Sequence, residues 1–257
     1  MYEAMMIAST GLHNQQRRLD TIANNIANIN TVGYKNARLD FKDALYTAGY
    51  VPALPRTPDG NQQKGHGLMV AGITKDFRSG SFLRSERQFD MAINGEGFFA
   101  LQAADGSVLY TRNGSFNLSV EANGVFLVNS DGLYVQDANG QRIEIPAHTT
   151  SLDVEEGNII AFTTNEDVSR VALGVFTFRN LMGLESIGEG NYSETEASGE
   201  RIAADDAKVV NGYLESSNVD IAQEMTRMIR TQRAFSLASR ALTTADEMEG
   251  IANNMKR

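Results

Sequence analysis

Apolar residues recur every seven positions at both ends of this 257-residue chain. At the N-terminus the repeat extends over the first 29 residues, with one interruption at Gln15. This spacing aligns apolar side chains in one stripe along a helix, as in coiled coils. A long helix with a single apolar stripe needs a partner that covers it. The N-terminal stripe contains Met5, Leu12, Leu19 and Ile26, together with Ala8, Ile22 and Ile29.

The C-terminal segment has the same pattern. Ser217, Asn218 and Asp220 favour the start of a helix there, and no proline follows. The stripe continues through Ile221, Met225, Met228, Phe235 and Leu242. We therefore predict that the two helices pack on each other or on neighbouring subunits, although packing on the core of their own domain is the alternative. The predicted assembly interface consists of Met5, Leu12, Leu19, Ile22, Ile26, Ile221, Met225, Met228, Phe235 and Leu242.

The middle of the chain has a different pattern, with closely spaced turn signals. Asn-Gly and Asp-Gly pairs favour tight hairpin turns, because the central residues of these turns need positive φ. Short runs of strand-forming residues lie between the pairs, which predicts an antiparallel β domain. The five pairs are Asp105-Gly106, Asn113-Gly114, Asn123-Gly124, Asp131-Gly132 and Asn139-Gly140.

These patterns predict an α+β fold, in which long N- and C-terminal coiled-coil helices flank an antiparallel β-rich central domain. The segment from Tyr50 to Gly67 holds three prolines and three glycines, which indicates a loop-rich connector without regular structure. The predicted divisions are an N-terminal helix at 1–32, a connector at 33–75, a central β domain at 76–212 and a C-terminal helix at 213–257.

Composition excludes several classes of function. The net charge of −9 argues against nucleic acid as a partner. The acidity is concentrated between Glu121 and Val210, which suggests a solvated central domain. No run of 18 apolar residues predicts a membrane span. The absence of cysteine excludes disulfides and Cys-ligated metals, and the first ten residues do not resemble a cleaved secretory signal.

No catalytic or ligand-binding motif is present. The three histidines are scattered, and none has a metal-like spacing to a second ligand. Gly95-Glu96-Gly97 is followed by a strand-like run, which leaves no helix N-terminus for a phosphate. Adjacent carboxylates such as Glu155 and Glu156 do not define a glycosidase-like pair. We therefore expect no enzyme activity, no cofactor and no metal.

Three motifs together resemble the flagellar basal-body rod and hook protein family. Ala23–Lys35 resembles the N-terminal signature of this family. Asp90–Phe99 and Tyr110–Phe116 are similar to the entry into its β domain, and Glu215–Asp220 with Met228–Phe235 is similar to its C-terminal helix. Within the family, the segment Leu184–Tyr192 resembles the distal rod type most.

The resemblance implies a structural subunit that polymerises helically into the drive shaft between motor and hook, around the export channel. The implied partners are copies of the chain, other rod and hook subunits, the surrounding basal-body rings and the flagellar export apparatus. The implied location is the flagellar basal body in the cell envelope and periplasmic space, reached without a cleaved signal peptide. The alternatives are a proximal rod or hook-like subunit and, in other classes, an envelope hydrolase or a β-rich adhesin with helical oligomerisation arms.

Overall fold

The computed structural model describes residues 2–44, 46–49, 62–65, 67–122, 124–146, 149, 151–155, 158–164, 168–204 and 206–255. The chain forms two compact units. Unit 1 comprises Met1–Ala27, Ala37–Thr74 and Asp220–Arg257, and unit 2 comprises Asn28–Asn36 and Lys75–Val219. Each unit is therefore assembled from segments that are distant in sequence.

The described residues of unit 1 form two long helices and four strands. Helix α1 spans Tyr2–Ala27 and packs against helix α2, which spans Ile221–Asn254. Strand β1 pairs with β4, and β2 pairs with β3. The segment from residue 37 to residue 75 therefore folds back on itself. The four strands are β1 (Ala37–Asp43), β2 (Tyr46–Gly49), β3 (Gln62–Gly65) and β4 (Leu68–Lys75).

The helix ends follow from local chemistry. The carboxylate of Asp220 accepts hydrogen bonds from the backbone N–H groups of Ala222 and Gln223, so Asp220 is the N-cap of α2. Helix α1 ends at Ala27, before Asn30, and Ile29 of the predicted stripe lies outside it. Neither helix, as far as the structure describes them, contains a stretch long and apolar enough to cross a membrane.

The predicted connector is not free of regular structure. Strands β1 to β4 all lie within residues 33–75, and β3 lies within the segment that we expected to form no regular element. The glycine and proline count missed β3, because its pairing with β2 and not its composition makes it a strand. The rest of the Tyr50–Gly67 stretch, except Gly67 itself, lies outside the described residues.

Unit 2 contains the antiparallel β structure that the turn signals predicted. Its main sheet runs in the order β12-β10-β11-β7-β8-β18-β17. In addition, β9 pairs with β10, and β16 pairs with both β7 and β19. Smaller sheets are formed by β13-β14-β15, β20-β6 and β21-β5. The strands up to β13 are β5 (Phe82–Arg84), β6 (Met91–Asn94), β7 (Phe98–Gln102), β8 (Val108–Thr111), β9 (Asn117–Glu121), β10 (Gly124–Val128), β11 (Tyr134–Val135), β12 (Glu144–Ile145) and β13 (Ser151–Glu155). The later strands are β14 (Ile159–Thr163), β15 (Val168–Ala172), β16 (Val175–Phe178), β17 (Glu185–Gly188), β18 (Asn191–Ser193), β19 (Arg201–Ala203), β20 (Lys208–Asn211) and β21 (Tyr213–Glu215).

Most of the predicted turns are confirmed. Gly106, Gly132 and Gly140 have φ values of 89°, 79° and 81°, whereas the Asp or Asn before each glycine does not have positive φ, so only one of the two central residues has the expected conformation. Strands β9 and β10 are antiparallel neighbours on either side of position 123, which itself lies outside the described residues. The hairpin predicted at Asn113-Gly114 is wrong, because β8 pairs with β7 and β18 and not with β9. Gly114 is needed for another reason, since a Cβ there would lie 1.6 Å from the carbonyl oxygen of Met91.

Strand β7 explains why the core of unit 2 has two parts. Successive side chains of a strand point to opposite faces, and residues on both faces of β7 are buried. Phe99 and Leu101 belong to the larger apolar cluster, whereas Phe98 belongs to a mainly aromatic cluster with Tyr110 and Tyr192. The predicted α+β class, with two terminal helices and an antiparallel β-rich middle, is confirmed.

Candidate assembly surface and buried charge network

The predicted interface residues of α1 are all at least partly buried. Ile22 is 4% exposed, and Met5, Leu12, Leu19 and Ile26 are half-buried. Within unit 1, helix α1 contacts helix α2 and strand β1. The seven-residue spacing of α1 therefore places its stripe on the sheltered side of the helix.

The predicted residues of α2 divide into two groups. Met228, Phe235 and Leu242 are half-buried, whereas Ile221 and Met225 are 48% and 55% exposed. The first three belong to a row of sheltered positions with alternating spacings of four and three residues. The row consists of Glu224, Met228, Thr231, Phe235, Ala238, Leu242, Ala245, Glu249 and Ala252.

The sequence pattern missed the polar members of this row. Glu224 is 1% exposed and Thr231 is 3% exposed, although both types favour solvent. Glu224 contacts Asn25 Nδ2 at 3.3 Å and the guanidinium of Arg227. The hydroxyl of Thr231 donates to the carbonyl oxygen of Arg227 at 2.8 Å, four residues earlier, which satisfies it inside the helix.

Asn25 links α1 to the start of β1. Its side-chain amide donates to the carbonyl oxygen of Ala37 at 2.8 Å, and its Oδ1 accepts from the N–H of Ala37 at 3.0 Å. Asn25 is 1% exposed. An amide side chain matches both backbone groups of one residue, which neither an apolar nor a charged side chain can do.

Unit 1 also exposes many large apolar side chains. The exposed ones on α2 all lie outside its sheltered row. Clusters of such side chains usually mark interaction sites in soluble proteins. The exposed large apolar residues of unit 1 are Met6, Ile7, Met69, Ile73, Ile221, Met225, Ile229, Leu237, Met248, Ile251 and Met255.

A buried charge network lies in unit 2, where three distant segments meet. The ammonium of Lys35 is 2.6 Å from Glu215 Oε1, and Nη1 of Arg112 is 3.1 Å from Glu215 Oε2. The three side chains are 1%, 2% and 0% exposed for Lys35, Arg112 and Glu215. One carboxylate thus serves two buried cations, and we call these three residues the charge triad.

Backbone groups accept or donate further hydrogen bonds to the triad, although Arg112 Nε is buried without a hydrogen-bond partner among the described residues. Lys35 Nζ donates to the carbonyl oxygen of Arg78 at 2.8 Å. Arg112 donates to the carbonyl oxygens of Ile93 at 3.3 Å and Gly95 at 2.7 Å. Glu215 Oε1 also accepts from the N–H of Gly80 at 2.9 Å. Buried charges of this kind are tolerated only when they are paired and hydrogen-bonded.

The pKa of Lys35 reflects this burial. Desolvation lowers the pKa of the Lys35 ammonium, and the neighbouring charge of Glu215 opposes that shift. The side chains of the triad are at most 2% exposed, so its ion pairs lie in the interior of unit 2. Within the part of the chain that the structure describes, no group of His, Cys, Asp and Glu side chains could hold a metal ion.

Gly33 allows the triad to close. Its N–H donates to the backbone carbonyl of Glu215 at 2.8 Å, and its φ is 69°. A Cβ at this position would lie 2.7 Å from the backbone nitrogen of Asn113. Glycine is therefore required both for its conformation and for the close approach of the neighbouring loop.

Asn218 has a different role from the one that the sequence indicated. We expected it to help cap α2, but its Oδ1 accepts from the N–H of Asn36 at 2.8 Å. Its amide donates to the carbonyl oxygens of Asp76 and Arg78 at 2.7 and 3.0 Å. Asn218 thus connects three segments of unit 2 next to the triad.

Models of three protein families match the chain. The model described as flagella basal body rod protein matches residues 5–35. The model of the flagellar hook protein FlgE/F/G D1 domain matches residues 92–161, and that of the flagellar basal body rod FlgEFG protein C-terminal region matches residues 210–255. Lys35, Arg112 and Glu215 each lie in a different one of these matches, so every matched segment supplies one member of the triad.

Whole proteins are similar to the chain over nearly its full length. The flagellar basal-body rod protein FlgG of Agrobacterium fabrum is 37% identical over 268 residues, covering 98% of this chain and 99% of the relative. FlgG of Borreliella burgdorferi and FlgG of Bacillus subtilis are each 36% identical, and both alignments cover 100% of both chains. The chain therefore belongs to the flagellar basal-body rod protein family and is a structural subunit of the distal rod type, not an enzyme.

Proposed function

We propose that this subunit polymerises helically with copies of itself through its terminal helices and forms the drive shaft that transmits torque from the motor to the hook. The shaft would surround the channel through which later subunits pass. The observation that carries the proposal is the exposed apolar surface of unit 1. Full burial of one such side chain contributes about 1.5–3 kcal/mol, which a subunit obtains only from neighbours.

We further propose that α1 and α2 form a coiled coil. The alternating spacing of the sheltered row on α2 supports this, because knobs-into-holes packing uses that spacing. Half-buried Met228, Phe235 and Leu242 would face Met5, Leu12, Leu19, Ile22 and Ile26. The exposed residues Ile221 and Met225 would contact a neighbouring subunit instead.

The contacts beyond the rod itself follow from the same proposal. Other rod and hook subunits would continue the helical array at its two ends, and the basal-body rings would surround it. The subunit would reach the periplasmic space through the flagellar export apparatus without losing a signal peptide. The acidic middle of the chain supports a solvated position of unit 2, since a charged surface remains in water.

The experiment replaces an apolar residue of the proposed coiled coil with a charge. Leu19→Asp or Phe235→Asp should prevent incorporation into rods, because a buried unpaired carboxylate destabilises the packing of the helices. The readout is the number of complete rods in basal bodies seen by electron microscopy, in a strain that lacks its own copy of the gene.

A matched control is Val120→Asp, which introduces the same charge at a side chain of unit 2 that is 80% exposed. The control should assemble normally, and the circular dichroism of the β structure should be unchanged in all variants. Normal rods with Leu19→Asp and Phe235→Asp would contradict the proposal.

A further inference from the structure

A groove with a volume of about 590 Å³ runs through unit 1 between α1 and β4. The strand side is lined by Leu68, Met69 and Val70, and the helical side is lined by Ser9, Thr10, His13, Asn14 and Arg17. Met69 is 51% exposed, so the strand offers an uncovered apolar surface. The groove is therefore apolar on one side and polar on the other.

Close contacts fix the shape of the groove. The side-chain amide of Asn14, which is 6% exposed, donates to the carbonyl oxygen of Leu68 at 2.6 Å. Gly67 has a φ of 97°, and a Cβ there would lie 3.0 Å from Thr10 Oγ1. The helix and the strand are thus held at a defined separation, which makes the groove a preformed site.

The charge of the groove selects its occupant. His13 and Arg17 are the titratable residues that line it, and the lining contains no carboxylate. The guanidinium of Arg17 is exposed at the rim. A segment with a row of apolar side chains and a carboxylate at its edge would complement both sides of the groove.

The end of α2 has this composition. Met248, Ile251 and Met255 are 51%, 59% and 77% exposed and lie on one side of the helix, while Glu247 is exposed beside them. The row extends over about 10 Å at the rise of an α-helix, and the helical side of the groove from Ser9 to Arg17 extends over about 12 Å. The two surfaces therefore match in length, polarity and charge.

We propose that the groove of one subunit binds the Met248–Met255 row of a second copy, with Glu247 facing Arg17. Because the groove and the row are different surfaces of the same unit, the contact is heterologous, and a heterologous contact whose rotation does not close repeats from copy to copy into an open filament. This inference rests on the proposed function, since it names the contact through which the subunits polymerise.

The test exchanges the two charges between subunits. Arg17→Glu alone and Glu247→Arg alone each place like charges in the contact, and each should reduce the number of complete rods about tenfold or more. Expression of both variants in the same cell should restore rods, because the new carboxylate at position 17 of one copy meets the new guanidinium at position 247 of the next. Arg179→Glu, an exposed charge reversal in unit 2, is the matched control and should assemble normally.

The outcomes separate this inference from the proposed function. If the unaltered chain restores no rods in the deletion strain, the proposed function fails. If it restores rods but either single variant does so equally well, or if coexpression gives no rescue, the groove is not the contact. Thermal unfolding of the purified variants should match that of the unaltered chain, since both positions are exposed, and rescue by coexpression itself requires folded subunits.

Discussion

Lys35 and Glu215 are 180 positions apart in sequence, and their charged atoms are 2.6 Å apart in the interior of unit 2. Arg112 shares the same carboxylate from its other side. Loss of one partner from a buried ion pair leaves an uncompensated charge, which is more damaging than loss of the whole pair. Glu215 should therefore be the most sensitive member of the charge triad.

Glu215→Gln should lower the free energy of unfolding of unit 2 by about 3–5 kcal/mol, because it leaves two buried cations without a counter-charge. Urea unfolding followed by circular dichroism measures the change. Glu185→Gln, at an exposed carboxylate of β17, is the matched control and should have almost no effect. The double variant Glu215→Gln with Lys35→Met should be more stable than Glu215→Gln alone. A double variant that is less stable would show that the charge of Lys35 is not the cause.

Gly33→Ala should destabilise unit 2 more than Gly106→Ala does. Both glycines have positive φ, which disfavours alanine by about 1–2 kcal/mol. Only Gly33 has a neighbouring backbone where the Cβ would lie, whereas the space around Gly106 is open. The clash should add about 1–3 kcal/mol, measured as the difference between the two urea unfolding curves. Equal losses would mean that the loop at Asn113 moves away freely.

Asn25→Ala should loosen the start of β1. The backbone N–H and carbonyl of Ala37 would both lose their partner, which should lower the free energy of unfolding of unit 1 by about 1–3 kcal/mol. Amide hydrogen exchange at Ala37 should accelerate accordingly. Gln16→Ala, at an exposed side chain of the same helix, should leave that exchange rate unchanged. Unaltered exchange in Asn25→Ala would show that the helix–strand link is made elsewhere.

Unit 2 should lose stability at alkaline pH partly through Tyr192. Burial raises the pKa of its phenol well above the ordinary value of 10.0. The unfolded chain then binds fewer protons than the folded one above about pH 10, so the stabilising contribution is complete below pH 10 and decreases as the pH rises. Urea unfolding between pH 8 and pH 11 should show a steeper decrease for the unaltered chain than for Tyr192→Phe. Parallel decreases would indicate that the phenol ionises inside the folded protein.

The helices and several strands of the middle of the chain were predictable because their signals are local. The seven-residue spacing of Met5, Leu12 and Leu19 needs no knowledge of the fold, and an Asp-Gly turn such as that at Gly106 is set by its own backbone. The strands of the segment 33–75 were missed because their pairing, rather than their composition, makes them strands. The sheltered positions of Glu224 and Thr231 were missed because polar residues do not contribute to an apolar pattern.

The charge triad could not be predicted for a different reason. Each member lies in a motif that resembles the family, yet nothing in the motifs shows that one carboxylate meets both cations. Lys, Arg and Glu are normally exposed, so their burial depends on contacts that only the folded chain provides. The available signal was that each of the three family-like motifs contains one charged residue of the triad.

The order of these residues along the chain also has a temporal consequence. Because a polypeptide is synthesised from its N-terminus, Lys35 and Arg112 emerge long before residue 215 of 257. Before residue 215 is available, Lys35 and Arg112 have no carboxylate to pair with. Their charged groups are then more stable in water than in the interior. Unit 2 can therefore complete the charge triad only after most of the chain has been made.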